Sequence, residues 1–199
     1  MKNNAYLKIR YFFEPLLAVI ISVVFVPIFL IIAILIKCDS KGPVFYKQAR
    51  VGRGGRFFNL FKFRSMQEFA EKDNVPVWPA RTDSRVTKLG HELRRCGLDE
   101  LPQLFNVITG QMSFIGPRPE RPYFAEKFSS QIPCYNQRLI LKPGITGLSQ
   151  VMELRGDCQI EERVKLDLQY CAKFNLLLDM IIICKTLKII LVGLISESF

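Results

Sequence analysis

Between Pro15 and Ile36 the chain runs for 22 residues without a charge, PLLAVIISVVFVPIFLIIAILI, with Ser22 as the single hydroxyl. As a straight helix this run would be about 33 Å long, enough to cross the hydrocarbon core of a bilayer. With 199 residues in all, it leaves room for one further domain and not for two. Two observations complicate a simple span. Pro27 stands near the middle, where proline removes a backbone hydrogen bond and kinks a helix at a cost of about 3 kcal/mol. Both flanks are basic: Lys2, Lys8 and Arg10 precede the run, and Lys37 and Lys41 follow it. The bias of cytoplasmic segments toward Lys and Arg puts both ends on one side. Residue chemistry leaves two arrangements open, a kinked spanning helix and a re-entrant helix broken at Pro27.

A second greasy stretch, Leu176–Ile195, is interrupted by Asp179, Lys185 and Lys188. It fits a helix lying in the membrane interface, its lysines reaching the head groups, and equally a terminal helix packed on the core.

Charge is concentrated in one block. Residues 37–95 carry 14 positive and 6 negative side chains, whereas residues 96–199 carry 11 of each. The formal excess of +10 therefore lies before Cys96, and such a block favours anionic partners: phosphoryl ligands, acidic lipid or nucleic acid. His91 is the single histidine. This removes two-histidine acid–base schemes and leaves general catalysis mostly to carboxylates. The six cysteines form no C-x-x-C pair. The N-terminus shows no small-residue cleavage signal, so the cysteines are expected as reduced thiols facing a cytosol.

Within the basic block, PVFYKQARVGRGGRFFNLFKFRSM reads as two extended runs about a turn at Gly52, Gly54 and Gly55. The G-R-G-G turn is no Walker loop, because no G-K-[ST] follows it. Its interleaved aromatic and basic residues suit single-stranded nucleic acid or, better, an acidic membrane surface. Trp78 fits an interfacial anchor and a packed side chain equally well.

The most informative stretch is RRCGLDELPQLFNVITGQMSFIGPRPE, Arg94–Glu120. Leu101, Leu104, Phe105 and Val107 form an amphipathic helical run, and Pro102 belongs in a first helical turn. The expected helix therefore starts near Asp99, whose carboxylate, beside free N–H groups and the positive dipole end, should stay ionised. An N-cap Asp99 and a first-turn Glu100 are common in soluble helices. Here the company differs. Arg94 and Arg95 lie upstream, and Gly116-Pro117-Arg118-Pro119 holds an arginine in a rigid turn downstream. Arginine grips phosphate oxygens in pairs. Carboxylates among guanidinium groups, beside a membrane segment, point to metal-assisted phosphoryl transfer with a lipid participant. Adjacent helical side chains point about 100° apart, so one carboxylate can attack while the other holds Mg²⁺, a cation that takes oxygen ligands.

These residues lie within longer motifs: PVFYKQARVG, FKFRSM, TDSRVTKLG, LDELPQLFNV, MSFIGPRPERP, KPGITGLSQV, and LDLQY followed by LLLDM. Through them, from the membrane segment nearly to the C-terminus, the chain resembles the bacterial sugar transferases. These are monotopic phosphoglycosyl transferases that begin surface-glycan assembly. The resemblance implies transfer of a sugar-1-phosphate from a UDP-sugar to polyprenyl (undecaprenyl) phosphate, with UMP as the second product. It implies Asp99 as a nucleophile carrying an aspartyl-phosphosugar intermediate, and Glu100, with Asp99, as the Mg²⁺ site. Arg118 would bind the nucleotide-sugar, with Lys62 and Arg94 as further basic residues near the active site. It also implies a re-entrant helix with both ends on the cytoplasmic face of a bacterial inner membrane. Membrane lipid is then a partner, nucleic acid is not, and a homodimer is left open.

The sequence departs from the family pattern at the hinge, Val26-Pro27, where a serine usually precedes the proline, and at Gln111, Leu148 and Met152. RGDCQIEERVKLDLQY resembles the subgroup that loads a hexose such as glucose or galactose, and the chain is expected to be a minimal catalytic unit. The expected fold is α/β, mostly helical with short strands or a hairpin. A membrane helix over 1–37 precedes a single catalytic domain over 38–199, with 176–195 as an interface helix. Two other classes remain: a membrane-tethered adaptor for nucleic acid or acidic lipid, and a non-catalytic scaffold that binds sugar nucleotide.

Overall fold

The computed structural model describes residues 4–67, 83–152 and 160–195; Trp78 lies outside them. The apolar run forms two helices, α1 (Asn4–Val24) and α2 (Val26–Asp39), bent by 63°. The break falls at Phe25, just before the expected Pro27, and Pro27 occupies the first turn of α2. The physical reason is that a first turn suits a proline best, since its missing N–H has no helical partner there, although α1 accommodates Pro15 in its interior. Among the described residues no single helix is long and apolar enough to cross a membrane, whereas the bent pair together is.

Both limbs of the pair are fastened to the same domain. On α1, Leu7 packs with Ile115, Leu141 and Tyr170, and Ala18 with Leu60, Leu104 and Val107. On α2, Ile32 and Ile36 pack with Phe63 and Leu93. Between these contacts the bend is bare: Val19, Ile20, Val23 and Val24 before it, and Val26, Leu30 and Ile31 after it, are 42–67% exposed.

Polar groups reinforce both attachments. Glu14 is buried and accepts hydrogen bonds from Ser113 Oγ (2.6 Å) and the Phe114 amide (3.2 Å). Buried Arg64 donates to the carbonyls of Lys41 (2.7 Å), Ser40 (2.6 Å) and Ile36 (3.3 Å). It thereby ties together the carbonyls at and just beyond the end of α2. One cation of the basic block is thus committed to the end of α2.

The expected hairpin follows. β1 (Phe45–Val51) pairs antiparallel with β2 (Phe57–Phe63), in a register running from Phe45 opposite Phe63 to Val51 opposite Phe57. Alternation along β2 buries Phe58 and Leu60 and brings Lys62 onto the same face, while Phe57 and Asn59 look outward.

Next comes α3 (Lys88–Arg95), capped by Thr87, whose Oγ1 accepts from the Gly90 amide at 2.9 Å. A 3-10 helix, Leu98–Gln103, leads into the short α4 (Leu104–Ile108). The expectation of an α-helix starting near Asp99 is corrected here. The Glu100 amide bonds the Gly97 carbonyl (3.2 Å) in a tight three-residue turn, and Gly97 itself sits at φ +69°, a left-handed conformation that glycine adopts without strain. Pro102, lacking an N–H, cannot close an α-helical bond back to Leu98. The run therefore stays in 3-10 geometry until Leu104.

The remaining elements are β3 (Ser113–Ile115), α5 (Pro122–Gln131), a 3-10 helix at Tyr135–Ile140, β4 (Gly144–Thr146), α6 (Leu148–Val151), α7 (Ile160–Lys173) and α8 (Leu176–Ile195). β3 and β4 pair in parallel, Ser113 with Gly144 and Ile115 with Thr146. The two strands are so close that a Cβ on Gly144 would overlap the Gly116 amide nitrogen. The fold is thus mostly helical, with two separate two-stranded sheets.

α8 packs on the core along one face and leaves apolar side chains exposed on another. Ile182 is buried in the core, whereas Leu177, Met180, Leu187 and Leu191 are exposed. Asp179 departs from the sequence reading. It does not interrupt an exposed face but is buried, paired with Arg10 at 2.7 Å and accepting from Tyr170 (2.7 Å) and Tyr6. The five described cysteines, Cys38, Cys96, Cys134, Cys171 and Cys184, are unbonded.

Candidate active site

Three segments far apart in sequence meet at the carboxylate pair. The 3-10 helix supplies Asp99 and Glu100, the end of β2 supplies Lys62, and the turn after β3 supplies Arg118. Lys62 Nζ lies 2.6 Å from Glu100 Oε1 and 3.7 Å from Asp99 Oδ2. Arg118 Nη2 donates to the same Glu100 oxygen at 2.9 Å. The two carboxylates therefore converge on a single ammonium.

Their electrostatics differ. Asp99 is buried, and loss of water, opposed by Lys62 and reinforced by Glu100, pushes its carboxyl above the ordinary range. Glu100 also loses water, but Arg118 and Lys62 overcome this and hold it well below the ordinary range. The helix-end donors expected to favour the Asp99 anion are replaced by a buried turn, so its carboxyl is held above rather than below the ordinary range. Among the described residues Lys62 is the one cation within 4 Å of the Asp99 carboxylate.

Arg94 is set apart from this cluster. Its Nε donates to Ser65 Oγ at 2.8 Å, so α3 is tied to the end of β2, and its charge acts on Asp99 through space.

Several buried groups that hold the Arg118 turn are not evident in the sequence. Arg138 donates to the Arg118 carbonyl (2.7 Å) and to Tyr135 Oη (3.1 Å) and pairs with Asp167, which also accepts from Ser149 Oγ (2.8 Å). Glu120 pairs with Arg163 at 3.0 Å and, more loosely, with Arg50 at 3.9 Å. Arg50 donates to the Pro119 carbonyl at 3.0 Å. Burial, with Arg118 and Arg121 nearby, pushes its guanidinium down to about 10. The run QAR and the doubled RP of GPRPERP carried the only sequence hint of this shell, since their partners lie up to 70 residues away.

The arrangement of paired carboxylates, a bridging lysine and a braced arginine can bind an anionic, phosphate-bearing group and offer it an oxygen nucleophile. A family model described as bacterial sugar transferase matches residues 5–193.

The chain belongs to the bacterial sugar transferase family.

Within this family it is 42% identical, over 97% of its length, to a UDP-N-acetylgalactosamine-undecaprenyl-phosphate N-acetylgalactosaminephosphotransferase of Aeromonas hydrophila. It is 40% identical, over 93% of its length, to a UDP-glucose:undecaprenyl-phosphate glucose-1-phosphate transferase of Xanthomonas campestris pv. campestris. A protein of the latter name from Caulobacter vibrioides is 38% identical over 87% of the chain. The chain spans 46%, 39% and 66% of the length of these three relatives, respectively.

Proposed function

We propose that this chain transfers a sugar-1-phosphate from a UDP-sugar to undecaprenyl phosphate, giving undecaprenyl-diphosphate-sugar and UMP, the first membrane step in building a surface glycan. The observation that carries this reading is the convergence of Asp99, Glu100, Lys62 and Arg118 beside a bent apolar helix pair. The activities in the names of the family relatives agree with it.

In the first half-reaction an Asp99 carboxylate oxygen attacks the donor phosphorus that bears the sugar. A phosphorus–oxygen bond forms, the bond to the bridging oxygen breaks, and UMP leaves with that electron pair. In the second, a phosphate oxygen of the lipid attacks the aspartyl-bound phosphorus and Asp99 departs as a carboxylate. Splitting the transfer this way lets a soluble donor and a greasy acceptor use one site in turn, and it makes the kinetics ping-pong. Arg118, braced through its carbonyl by Arg138, grips donor phosphate oxygens. Lys62 keeps Asp99 available as an anion.

The chemistry of the donor set fits Mg²⁺. Among the described residues no three acidic, cysteine or histidine side chains gather. However, Asp99 and Glu100 face a common cation position, and Mg²⁺ is commonly held by one or two carboxylates together with water and substrate phosphates. When bound, the ion neutralises diphosphate charge.

The attachment of both limbs of α1–α2 to one domain supports a re-entrant insertion, with the catalytic domain on the cytoplasmic face of a bacterial membrane. The exposed face of α8 lies in the same interface.

The test is UMP release by the purified chain with Mg²⁺, undecaprenyl phosphate and a panel of UDP-sugars that includes UDP-glucose, UDP-galactose and UDP-N-acetylgalactosamine, run beside Asp99→Asn. Release is expected to require lipid phosphate and to vanish in the variant. With donor alone, intact-mass analysis should show one added sugar-phosphate on the wild type. No release from any donor would overturn the reaction, and full activity of Asp99→Asn would overturn the covalent route.

A further inference from the structure

On the side of α1 that faces the domain, three cations surround one ring. Lys142 Nζ lies 4.5 Å from the centroid of Tyr11, with the Arg10 and Arg53 guanidinium carbons at 5.2 Å and 5.9 Å. The Tyr11 hydroxyl accepts from the Lys142 amide at 3.1 Å, fixing the ring against the chain that precedes β4. Of the three, Arg10 is spent on Asp179 and Glu14. Arg53 gives its Nε to the Ile140 carbonyl (3.0 Å) and, among the described residues, its other nitrogens have no polar partner. The Lys142 ammonium, half-buried, has neither a hydrogen bond nor an ion pair among the described residues. The nearest acid, Glu14, already takes Ser113, Phe114 and Arg10. Burial, aided by Arg53 and Arg10, outweighs the opposing charge of Glu14 and pushes the Lys142 ammonium below its ordinary value. Among the described residues Lys142 and Arg53 thus have no ion pair, and a further anion would offset their mutual repulsion.

The position of the cluster says what would complete it. Within one helical turn of Tyr11, Ile9, Phe12 and Phe13 are 59%, 76% and 57% exposed, which marks the boundary between the polar domain and the apolar helix pair. Arg118 lines a small cleft together with Gly52, Leu141 and Pro143, the chain neighbours of Arg53 and Lys142.

We propose that Lys142 and Arg53, arranged around Tyr11, bind the phosphate of a membrane lipid at the foot of the inserted helix. This rests on α1–α2 being membrane-inserted, and it requires no turnover. Phospholipid and polyprenyl phosphate share the recognised group, and either can supply it.

The test is native mass spectrometry of the full chain in neutral detergent, titrated separately with phosphatidylglycerol, phosphatidylcholine and a polyprenyl monophosphate. The wild type is expected to hold one of the two anionic lipids more tightly than phosphatidylcholine. Lys142→Gln and Arg53→Gln should each weaken that binding by about fivefold, the effect of removing one cation at a membrane surface. Lys142→Arg should restore it. Lys127→Gln, a charge loss on the exposed face of α5, should leave it unchanged. A loss confined to polyprenyl phosphate identifies the substrate as the ligand, and a loss confined to phosphatidylglycerol identifies bulk lipid. Arg53 lies on an exposed turn, so its variant keeps the test open if Lys142→Gln misfolds. Wild-type binding without preference for anionic lipid, or full anionic binding by folded Arg53→Gln and Lys142→Gln, overturns the proposal.

Discussion

At Asp99 burial and chemistry pull in opposite directions. Its carboxyl is held above the ordinary range, so the folded state binds that proton more tightly than the unfolded chain, whose aspartates titrate near about 3.9. Stability attributable to Asp99 is therefore lost as pH rises through this window. Glu100, depressed by Arg118 and Lys62, has the opposite sign: it stabilises above the ordinary glutamate range and loses this as pH falls. Asp99→Asn should consequently abolish UMP release while raising Tm by about 2–4 °C near neutral pH, the equivalent of about 1 kcal/mol in a chain of this size. Differential scanning fluorimetry in detergent with a chelator present would check it. A drop in Tm would show that the Asp99 charge stabilises the fold. Lys62→Met removes the cation that favours the Asp99 anion, so the carboxyl rises further. The acid limb of kcat/KM against pH should then move to higher pH, and an unmoved limb would free Lys62 of that role.

Among elements, the parallel pair β3–β4 and the clasp between α1 and α8 decide where the site residues stand. Gly144→Ala drives a Cβ into the Gly116 amide and must push apart the strands that carry the Arg118 turn. UMP release should fall by about two orders of magnitude, as expected for a displacement near 1 Å, with a larger effect on KM for the UDP-sugar than Leu148→Ala on the adjoining α6. Asp179 is the anion of a buried pair with Arg10, which also donates to the Ile115 carbonyl at 2.9 Å. Asp179→Ala alone should cost about 3–5 kcal/mol by stranding that arginine. In the Arg10→Leu/Asp179→Leu double variant much of the loss should return, a non-additivity readable in a double-mutant cycle by chemical denaturation. Sequence reasoning took Asp179 for a break in an apolar helix. Its partners, Tyr6 and Arg10, sit some 170 residues away, and no periodicity within α8 reveals them.

At the scale of the molecule the bent helix pair packs as part of one domain. Ala18 on α1 and Ile36 on α2 are both buried against it, and the proposed re-entrant insertion keeps both ends of the pair on one side. Single cysteines at Lys8 and Lys41, in a background freed of the native thiols, should therefore react with an impermeant maleimide from the same side of sealed vesicles. Labelling from opposite sides would establish a spanning helix instead.

The sequence by itself determined the 22-residue apolar run, the proline that breaks it, the hairpin and the chemistry-bearing residues Asp99, Glu100, Lys62 and Arg118. These are local statements, written in hydropathy, backbone restriction and side-chain type, and they survive whatever the rest of the chain does. Tertiary structure alone decided that Lys62 bridges both carboxylates, that Arg94 turns to Ser65, that Arg64 closes α2 and that Asp179 is buried. Each of these depends on which distant side chain fills a shared, water-poor space. The same holds for the 3-10 winding at Asp99, where Gly97 and Pro102 restrict the backbone, and for the unpaired cations at Tyr11, where three segments meet. Burial sets the sign of an electrostatic effect, and burial is a property of the packed molecule.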